Sequence, residues 1–223
     1  DRSRKKEAYS TILKALILTA VPVIFSTAIY NINQIIDLTV FNHIMAWQGF
    51  SEQEYMALQG IYTGKYDPLI NVPLSIPSAV SASIVPTLTA AVMNRQRKKV
   101  HYQIDQTLRI ATIITIPSCV GIAVLASPLM VLLYNDSSAT PANLLMLGAI
   151  VIVLYGWSSI TNSVLHGLNY MSSPAKNAAV ALGIHLVAFV IMLVAFRMNV
   201  YALVGSNIVF ALVMCWLNQR KIR

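Results

Sequence analysis

The 223-residue chain is 57% hydrophobic and only 11% charged, whereas soluble domains carry about 25% charged residues. This composition excludes a soluble globule, and it is the opposite of the composition of disordered chains. The net charge is +8. In an apolar chain, an excess of Lys and Arg indicates cytoplasmic loops that contact anionic lipid headgroups, so we expect no nucleic acid partner. The composition predicts an all-α, polytopic membrane protein.

Six apolar runs are long enough to cross a bilayer, which takes about 20 helical residues each. They predict a single six-helix transmembrane lobe over residues 1–223, with a polar loop over about 43–65. The predicted spans are roughly 12–41, 66–92, 108–134, 144–165, 178–196 and 200–217.

The basic residues predict the orientation of the spans. Of the 16 Lys and Arg residues, only Lys65 and Arg197 fall on one side of the six-span arrangement. The other 14 (16 minus these two) fall on the side that holds both ends of the chain. Because cytoplasmic loops are enriched in Lys and Arg, both ends are expected in the cytoplasm.

Prolines are concentrated in the second run, at Pro68, Pro73, Pro77 and Pro86. A proline inside a helix removes a backbone hydrogen bond and kinks the helix. The freed carbonyl needs a partner in the protein or in a wet cavity, so the run predicts a bent helix that lines a cavity. Prolines are also common in membrane helices, and this alternative stays open.

Polar residues in the first run share one helical face. Ser26, Tyr30, Asn33 and Asp37 are spaced four, three and four apart, as residues on one side of a helix are. They are candidates for lining a cargo cavity, since polar side chains are costly in hydrocarbon. Asp37 could also bind a cation, accept a proton, or be a solvated carboxylate at a helix end.

Two further candidates for the cavity, Lys65 and Tyr66, form a cluster with Asp67 at the outer mouth of the second run. A lysine ammonium there could contact a phosphate or pyrophosphate as a point charge. The alternative is an ordinary loop residue.

The later runs hold a second polar stripe and a buried histidine. Tyr155, Ser159, Asn162 and His166 again follow the four, three, four spacing, and we take Asn162 and His166 as cavity candidates. His185 lies inside the fifth run. A histidine there could carry protons, or it could be hydrogen-bonded to a neighbouring helix.

Signals for enzymatic or metal chemistry are weak. The chain has no phosphate-binding glycine loop and no HExxH or GxSxG motif. Its two cysteines are isolated in apolar runs, which does not indicate a metal site. We expect no enzyme activity, no cofactor and no metal. Transport would then be driven by a Na⁺ or H⁺ gradient, the membrane potential or the cargo gradient.

The order of several short motifs resembles one family of exporters. The chain is similar to the lipid II flippase and polysaccharide exporter branch of the multidrug/oligosaccharidyl-lipid/polysaccharide exporter superfamily, above all to its MurJ-like and stage V sporulation protein B-like members. The motifs are Pro77–Pro86, Thr107–Arg109, Ile116–Gly121, Pro128–Tyr134 and Val164–Asn169.

The resemblance covers the second half of such proteins and implies one lobe of a two-lobe transporter in the bacterial cytoplasmic membrane. The partners implied are membrane lipids, an N-terminal lobe that this sequence lacks, and an undecaprenyl-linked sugar precursor moved by alternating access. Asp37 matches an acidic position of the family, and Lys65 stands where an arginine is common. Asp37, Asn177 and His185 are the candidates for ion coupling.

Two other functions remain open. A drug or cation antiporter of the MATE type would share the fold, but it would need a cavity rich in carboxylates. A non-transporting membrane scaffold would pack its polar stripes between helices and leave no wet cavity.

Overall fold

The computed structural model describes residues 21, 24 and 33–222, and this part of the chain is helical and contains no strand. A first helix, α1, covers residues 33–47. It is followed by α2 (Glu52–Ile61), a π-helical turn (Tyr62–Tyr66), α3 (Asp67–Met93), α4 (Arg97–Val124), α5 (Ala126–Tyr134), α6 (Ala139–Gly148), α7 (Ile150–Gly167), α8 (Ser173–Val194) and α9 (Tyr201–Ile222).

Five helical segments of the described chain are long and apolar enough to cross a membrane. This confirms the prediction of an all-α polytopic membrane protein. The predicted first span falls mostly outside the described residues. The five segments are Glu52–Met93, Arg97–Val124, Ala139–Gly167, Ser173–Val194 and Tyr201–Ile222.

The structure differs from the predicted loop over 43–65. Helix α1 continues to residue 47, and a second helix begins at Glu52 and runs without a break into α3. Ser51 caps this helix. Its side-chain oxygen accepts a hydrogen bond from the Glu54 backbone amide, and the Glu54 carboxylate accepts one from the Ser51 backbone amide. This reciprocal capping box fixes a helix start in a stretch whose hydropathy alone predicts a loop.

Two predicted spans contain breaks. Helix α4 ends at Val124, four residues before Pro128, because the proline ring collides with the carbonyl four residues earlier. The fourth span begins at Ala139 instead of about 144, with Pro141 in its first turn, where a missing amide hydrogen costs nothing. It is divided at Ala149 into α6 and α7.

Helix α7 lies at the centre of the bundle and packs against α3, α4 and α9. Pro73 and Pro77 of α3 are buried, and Pro77 lies beside Gly156 of α7. These prolines are therefore packed inside the bundle, on a stripe of α3 that adjoins the residues lining the polar pocket described below.

Candidate functional site: a polar pocket inside the apolar bundle

A pocket of about 320 Å³ lies between α1, the α2–α3 segment, α7 and α9. It brings together three of the predicted cavity residues, Asn33, Asp37 and Tyr66. The predicted residues Ser26 and Tyr30 fall outside the described residues. The other polar lining residues are Gln34, Tyr62, Asp67, Asn71, Tyr155 and Asn207.

Helix α1 turns its polar residues inward. Asn33, Asp37, Phe41 and Met45 recur every four residues and are all at least 96% buried, so they form one stripe on the helix. The first two line the pocket, and the last two belong to the apolar core. One end of this stripe therefore packs in the apolar core, and the other end lines the pocket.

The π-helical turn places two tyrosines in the pocket wall. Tyr62 and Tyr66 lie at its two ends, both are buried, and their rings stack with centroids 5.2 Å apart. Single π turns inside α-helices are rare and occur frequently at functional sites.

Asp37 is hydrogen-bonded to His185 of α8. The His185 Nε2 atom lies 2.6 Å from Asp37 Oδ1, and its Nδ1 atom lies 2.8 Å from the backbone carbonyl oxygen of Ser206. His185 is fully buried, with its ring stacked on Phe189. A carbonyl oxygen only accepts hydrogen bonds, so Nδ1 carries a hydrogen and donates it to Ser206.

Asn207 of α9 joins three walls of the pocket. Its amide nitrogen donates to the Tyr62 hydroxyl at 2.8 Å and to the Leu203 carbonyl at 2.9 Å. Its amide oxygen accepts from the Tyr155 hydroxyl at 3.0 Å. This one side chain therefore ties α9 both to α7 and to the π turn.

Asp67 is the second carboxylate of the pocket. It accepts a hydrogen bond from Gln34 at 3.3 Å, and Asn71 lines the pocket one turn further along α3. The buried Oδ1 atom of Asn33 has no hydrogen-bond partner among the described residues. No Lys or Arg of the described chain lines this pocket, so its fixed polar groups are carboxylates, amides and phenols.

Lys65 lies outside the pocket. Its ammonium forms an ion pair with Asp136 in the loop between α5 and α6. The hydrogen bonds from Lys65 and from Ser138 hold the pKa of the Asp136 carboxyl well below its ordinary value. In this conformation Lys65 connects the π turn to the loop between α5 and α6, and its contact with a phosphate stays a prediction.

The remaining predicted residues lie elsewhere. Asn162 and His166 of α7 are outside the pocket, and neither Asn162 Oδ1 nor His166 Nδ1 has a hydrogen-bond partner among the described residues. Asn177 of α8 donates to Asn218 at 2.9 Å. It lies eight residues before His185, or about 12 Å along the helix, so Asn177 is not part of the Asp37 site.

The sequence predictions give no role to Asn71 or Asn207, and they name Asp67 only as a neighbour of Lys65 and Tyr66. Asn207 is the one that the sequence could have identified, because an amide in the middle of an apolar span is costly unless it is hydrogen-bonded. The described residues hold no cluster of His, Cys, Asp and Glu able to bind a metal ion. A second, mainly apolar pocket of about 380 Å³ lies between α4, α7 and α9.

Apolar helices of membrane-spanning length around a polar pocket define a polytopic membrane protein. The chain belongs to the MurJ lipid II flippase family, whose model matches residues 3–223, and this confirms the resemblance found in the sequence.

The chain has two curated relatives in Bacillus subtilis (strain 168). It is 26% identical to the lipid II flippase MurJ over 185 residues, which cover 81% of this chain and 34% of the relative. It is 23% identical to the uncharacterized membrane protein YabM over 162 residues, which cover 73% and 30%. The chain thus spans about a third of the length of these relatives. No solved structure matches it.

Proposed function

We propose that this chain is one six-helix lobe of a two-lobe transporter that flips an undecaprenyl-linked cell-wall precursor, similar to lipid II, across the bacterial cytoplasmic membrane. The observation that carries the proposal is the family match over residues 3–223, together with the lipid II flippase among the relatives. The transporter is not an enzyme, and both ends of this chain lie in the cytoplasm.

The chemistry of the pocket supports a cargo with a hydrophilic headgroup. Its volume of about 320 Å³ lies at the lower end of the range for small-molecule sites. Amide and phenol groups line it, and such groups exchange hydrogen bonds with sugar hydroxyls and peptide amides. The second lobe completes the cavity, and alternating access exposes it first to the cytoplasm and then to the outside.

The pocket does not supply a cation for the pyrophosphate of such a cargo, because no Lys or Arg of the described chain lines it. Lys65 reaches Asp136 instead. The proposal therefore places the pyrophosphate contact on the other lobe, or on Lys65 after its ion pair opens.

A cation or drug antiporter is the second candidate, because two carboxylates, Asp37 and Asp67, line the pocket. The hydrogen bond between His185 and Asp37 weakens this candidate, because one of the two carboxylates already has a partner within the protein. A membrane scaffold gives the pocket no role.

The test is the exposure of lipid-linked precursor at the outer leaflet, in cells depleted of their own flippase and supplied with the full-length protein. Asn71→Leu puts an apolar side chain into the pocket. Asn94→Leu makes the same change at an exposed residue beyond the end of α3. We expect wild type and Asn94→Leu to restore exposure and Asn71→Leu to restore much less.

Failure of the wild-type protein to restore exposure would contradict the flippase proposal. If the same cells instead gained resistance to cationic drugs, and Asp67→Asn abolished that resistance, the antiporter would be the better account.

A further inference from the structure

We infer that the groove between α4, α7 and α9 binds one acyl chain of an anionic phospholipid, and that the basic start of α4 holds the phosphate of that lipid. The groove shares no lining residue with the polar pocket. Binding at this site is therefore separate from the transport of a cargo, and it goes beyond the proposed function.

The groove is the second pocket described above, with a volume of about 380 Å³. Helices α4 and α9 each pack against α7 and make little contact with one another. Trp157 and Thr161 of α7 therefore form the floor of the groove, and the other two helices form its walls. An apolar lining favours an apolar occupant over water. The aliphatic lining residues are Val100, Ile104, Leu108, Leu168 and Ile222.

The dimensions of the groove fit a single hydrocarbon chain. Along α4 its lining extends from Val100 to Leu108, which is about 12 Å of helix. Divided by that length, the volume gives a cross-section of about 30 Å², or about 6 Å across, whereas a helix with its side chains is about 10–12 Å wide. A further helix is therefore too wide to enter the groove, and an acyl chain is narrow enough.

One end of the groove leads to a site for an anion. Helix α4 begins with three exposed basic residues, Arg97, Lys98 and Lys99. Arg97 lies four positions before His101 and seven before Ile104, so it continues the stripe of α4 that lines the groove. The first amides of α4 receive no hydrogen bond from a capping side chain. Such a helix start attracts a phosphate group, and the three cations beside it strengthen that attraction.

Aromatic residues at the end of α9 mark the level of the lipid headgroups. The Arg220 guanidinium lies 5.7 Å from the centre of the Trp216 ring, and the Lys221 ammonium lies 5.2 Å from that of Tyr170. Aromatic and basic side chains are enriched where a bilayer meets water. The proposed orientation places this end of the bundle in the cytoplasm, so the lipid belongs to the inner leaflet.

The balance of charge selects an anionic lipid over a neutral one. Helices α4, α7 and α9 together carry six basic residues and a single acidic residue, Asp105. Asp105 lies eight positions after Arg97, or about 12 Å along the helix, so it is remote from the phosphate. Each basic residue near a membrane surface favours an anionic lipid by about fivefold. The bound chain fills the space between α4 and α9 and thereby holds these two helices together.

The test uses Trp157 as a reporter inside the groove. The full-length protein, with its other tryptophans changed to Phe, is placed in vesicles of neutral phosphatidylcholine. Phospholipids with brominated acyl chains are then added, because bromine quenches tryptophan fluorescence on contact. We expect brominated phosphatidylglycerol to quench Trp157 at a mole fraction about tenfold lower than brominated phosphatidylcholine does, since several basic residues contribute to the preference.

The control is a tryptophan at the same depth on the lipid-facing side of α4. The Trp157 Nε1 atom donates to Thr112 at 3.0 Å, and the next residue, Ile113, is 62% exposed and lies outside the groove. Ile113→Trp is combined with Trp157→Phe. This tryptophan contacts the bulk lipid, so we expect the two brominated lipids to quench it equally.

A matched pair of charge variants tests the position of the headgroup. Arg97→Gln should weaken the preference of Trp157 for phosphatidylglycerol by about fivefold. Lys176→Gln removes the same charge from an exposed position of α8, a helix that does not line the groove, and should keep the wild-type preference. Equal effects of the two variants would overturn the assignment of the phosphate to the start of α4.

Three further results would overturn the lipid site. Equal quenching of Trp157 by the two lipids would show that the groove has no preference for an anionic headgroup. Absence of quenching by either lipid would show that another part of the protein covers the groove. Relief of the quenching by unlabelled undecaprenyl phosphate at a lower amount than by unlabelled phosphatidylglycerol would assign the groove to an isoprenoid chain instead.

Discussion

The contact between Gly148 and Tyr66 offers a sharp test of how the pocket wall is supported. Gly148 ends α6 against the Tyr66 ring. A Cβ atom at Gly148 would lie 2.6 Å from Tyr66 Cζ and closer still to the ring atom Cε2 and the hydroxyl oxygen. Tyr66 is only 2% exposed and stacks on Tyr62, so it cannot move aside without disturbing the pocket.

The magnitude follows from the cost of overpacking a core, which is about 1–3 kcal/mol. Gly148→Ala is therefore expected to lower the free energy of unfolding by about that amount. Gly121→Ala is the matched control, because a Cβ there meets no atom within 4 Å. Gly121 lies in the last turn of α4, so that change should stabilise the protein by at most about 0.5–1 kcal/mol, since alanine loses less backbone entropy than glycine.

The assay is thermal unfolding of the full-length protein in detergent, with Tyr66→Ala added to complete a double-mutant cycle. We expect Gly148→Ala to lower the Tm by several degrees in the wild-type background and by much less in the Tyr66→Ala background. The difference is a coupling energy within the range of about 0.5–3 kcal/mol for side chains in contact. The reasoning is refuted if Gly148→Ala has the wild-type Tm, or if its effect is the same with and without Tyr66.

Three further predictions concern hydrogen bonds of the bundle. The Ser81 hydroxyl donates a hydrogen bond to a backbone carbonyl of α7 at 2.9 Å, whereas the Ser83 hydroxyl donates within its own helix. Ser81→Ala should therefore lower the free energy of unfolding by about 1 kcal/mol, and Ser83→Ala by less. Equal Tm values for the two variants would contradict this. Asn207→Ala removes the partner of two tyrosine hydroxyls and should cost about 1–3 kcal/mol, measured as a lower Tm; an unchanged Tm would refute the network. Because the pKa of Asp136 is lowered, its pairing stabilises the fold above the unfolded pKa of about 3.9 and is lost as the pH falls further. The Tm difference between wild type and Lys65→Met should therefore be constant near neutral pH and shrink in acid, and a difference that persists in strong acid would contradict it.

Composition and periodicity predict the helical membrane class and the inward face of α1. Asn33 and Asp37 share that face because the spacing of four is a local property of a helix. The partner of Asp37 is not local, since His185 lies 148 positions away. Periodicity identifies the face of each helix but not the neighbour that it meets, so two separate candidates in the sequence become one site only in the fold.

The role of Lys65 depends on local structure that hydropathy does not reveal. The capping box at Ser51 begins a helix where the sequence analysis expects a loop. The π turn of Tyr62–Tyr66 then adds a residue to one helical turn, which changes the angular positions of the side chains. Tyr66 therefore lines the pocket, while Lys65 points to Asp136.

Photo-crosslinking of the cargo headgroup tests most directly the claim that this pocket is a transport site. A photoreactive amino acid is placed in the full-length protein at Asn71, which lines the pocket, or at the adjacent Val72, which is 69% exposed and lies outside it. The proposal predicts adducts with the sugar headgroup of an undecaprenyl-linked precursor at position 71 and few at position 72. Headgroup adducts that are equal at the two positions, or confined to position 72, would contradict it.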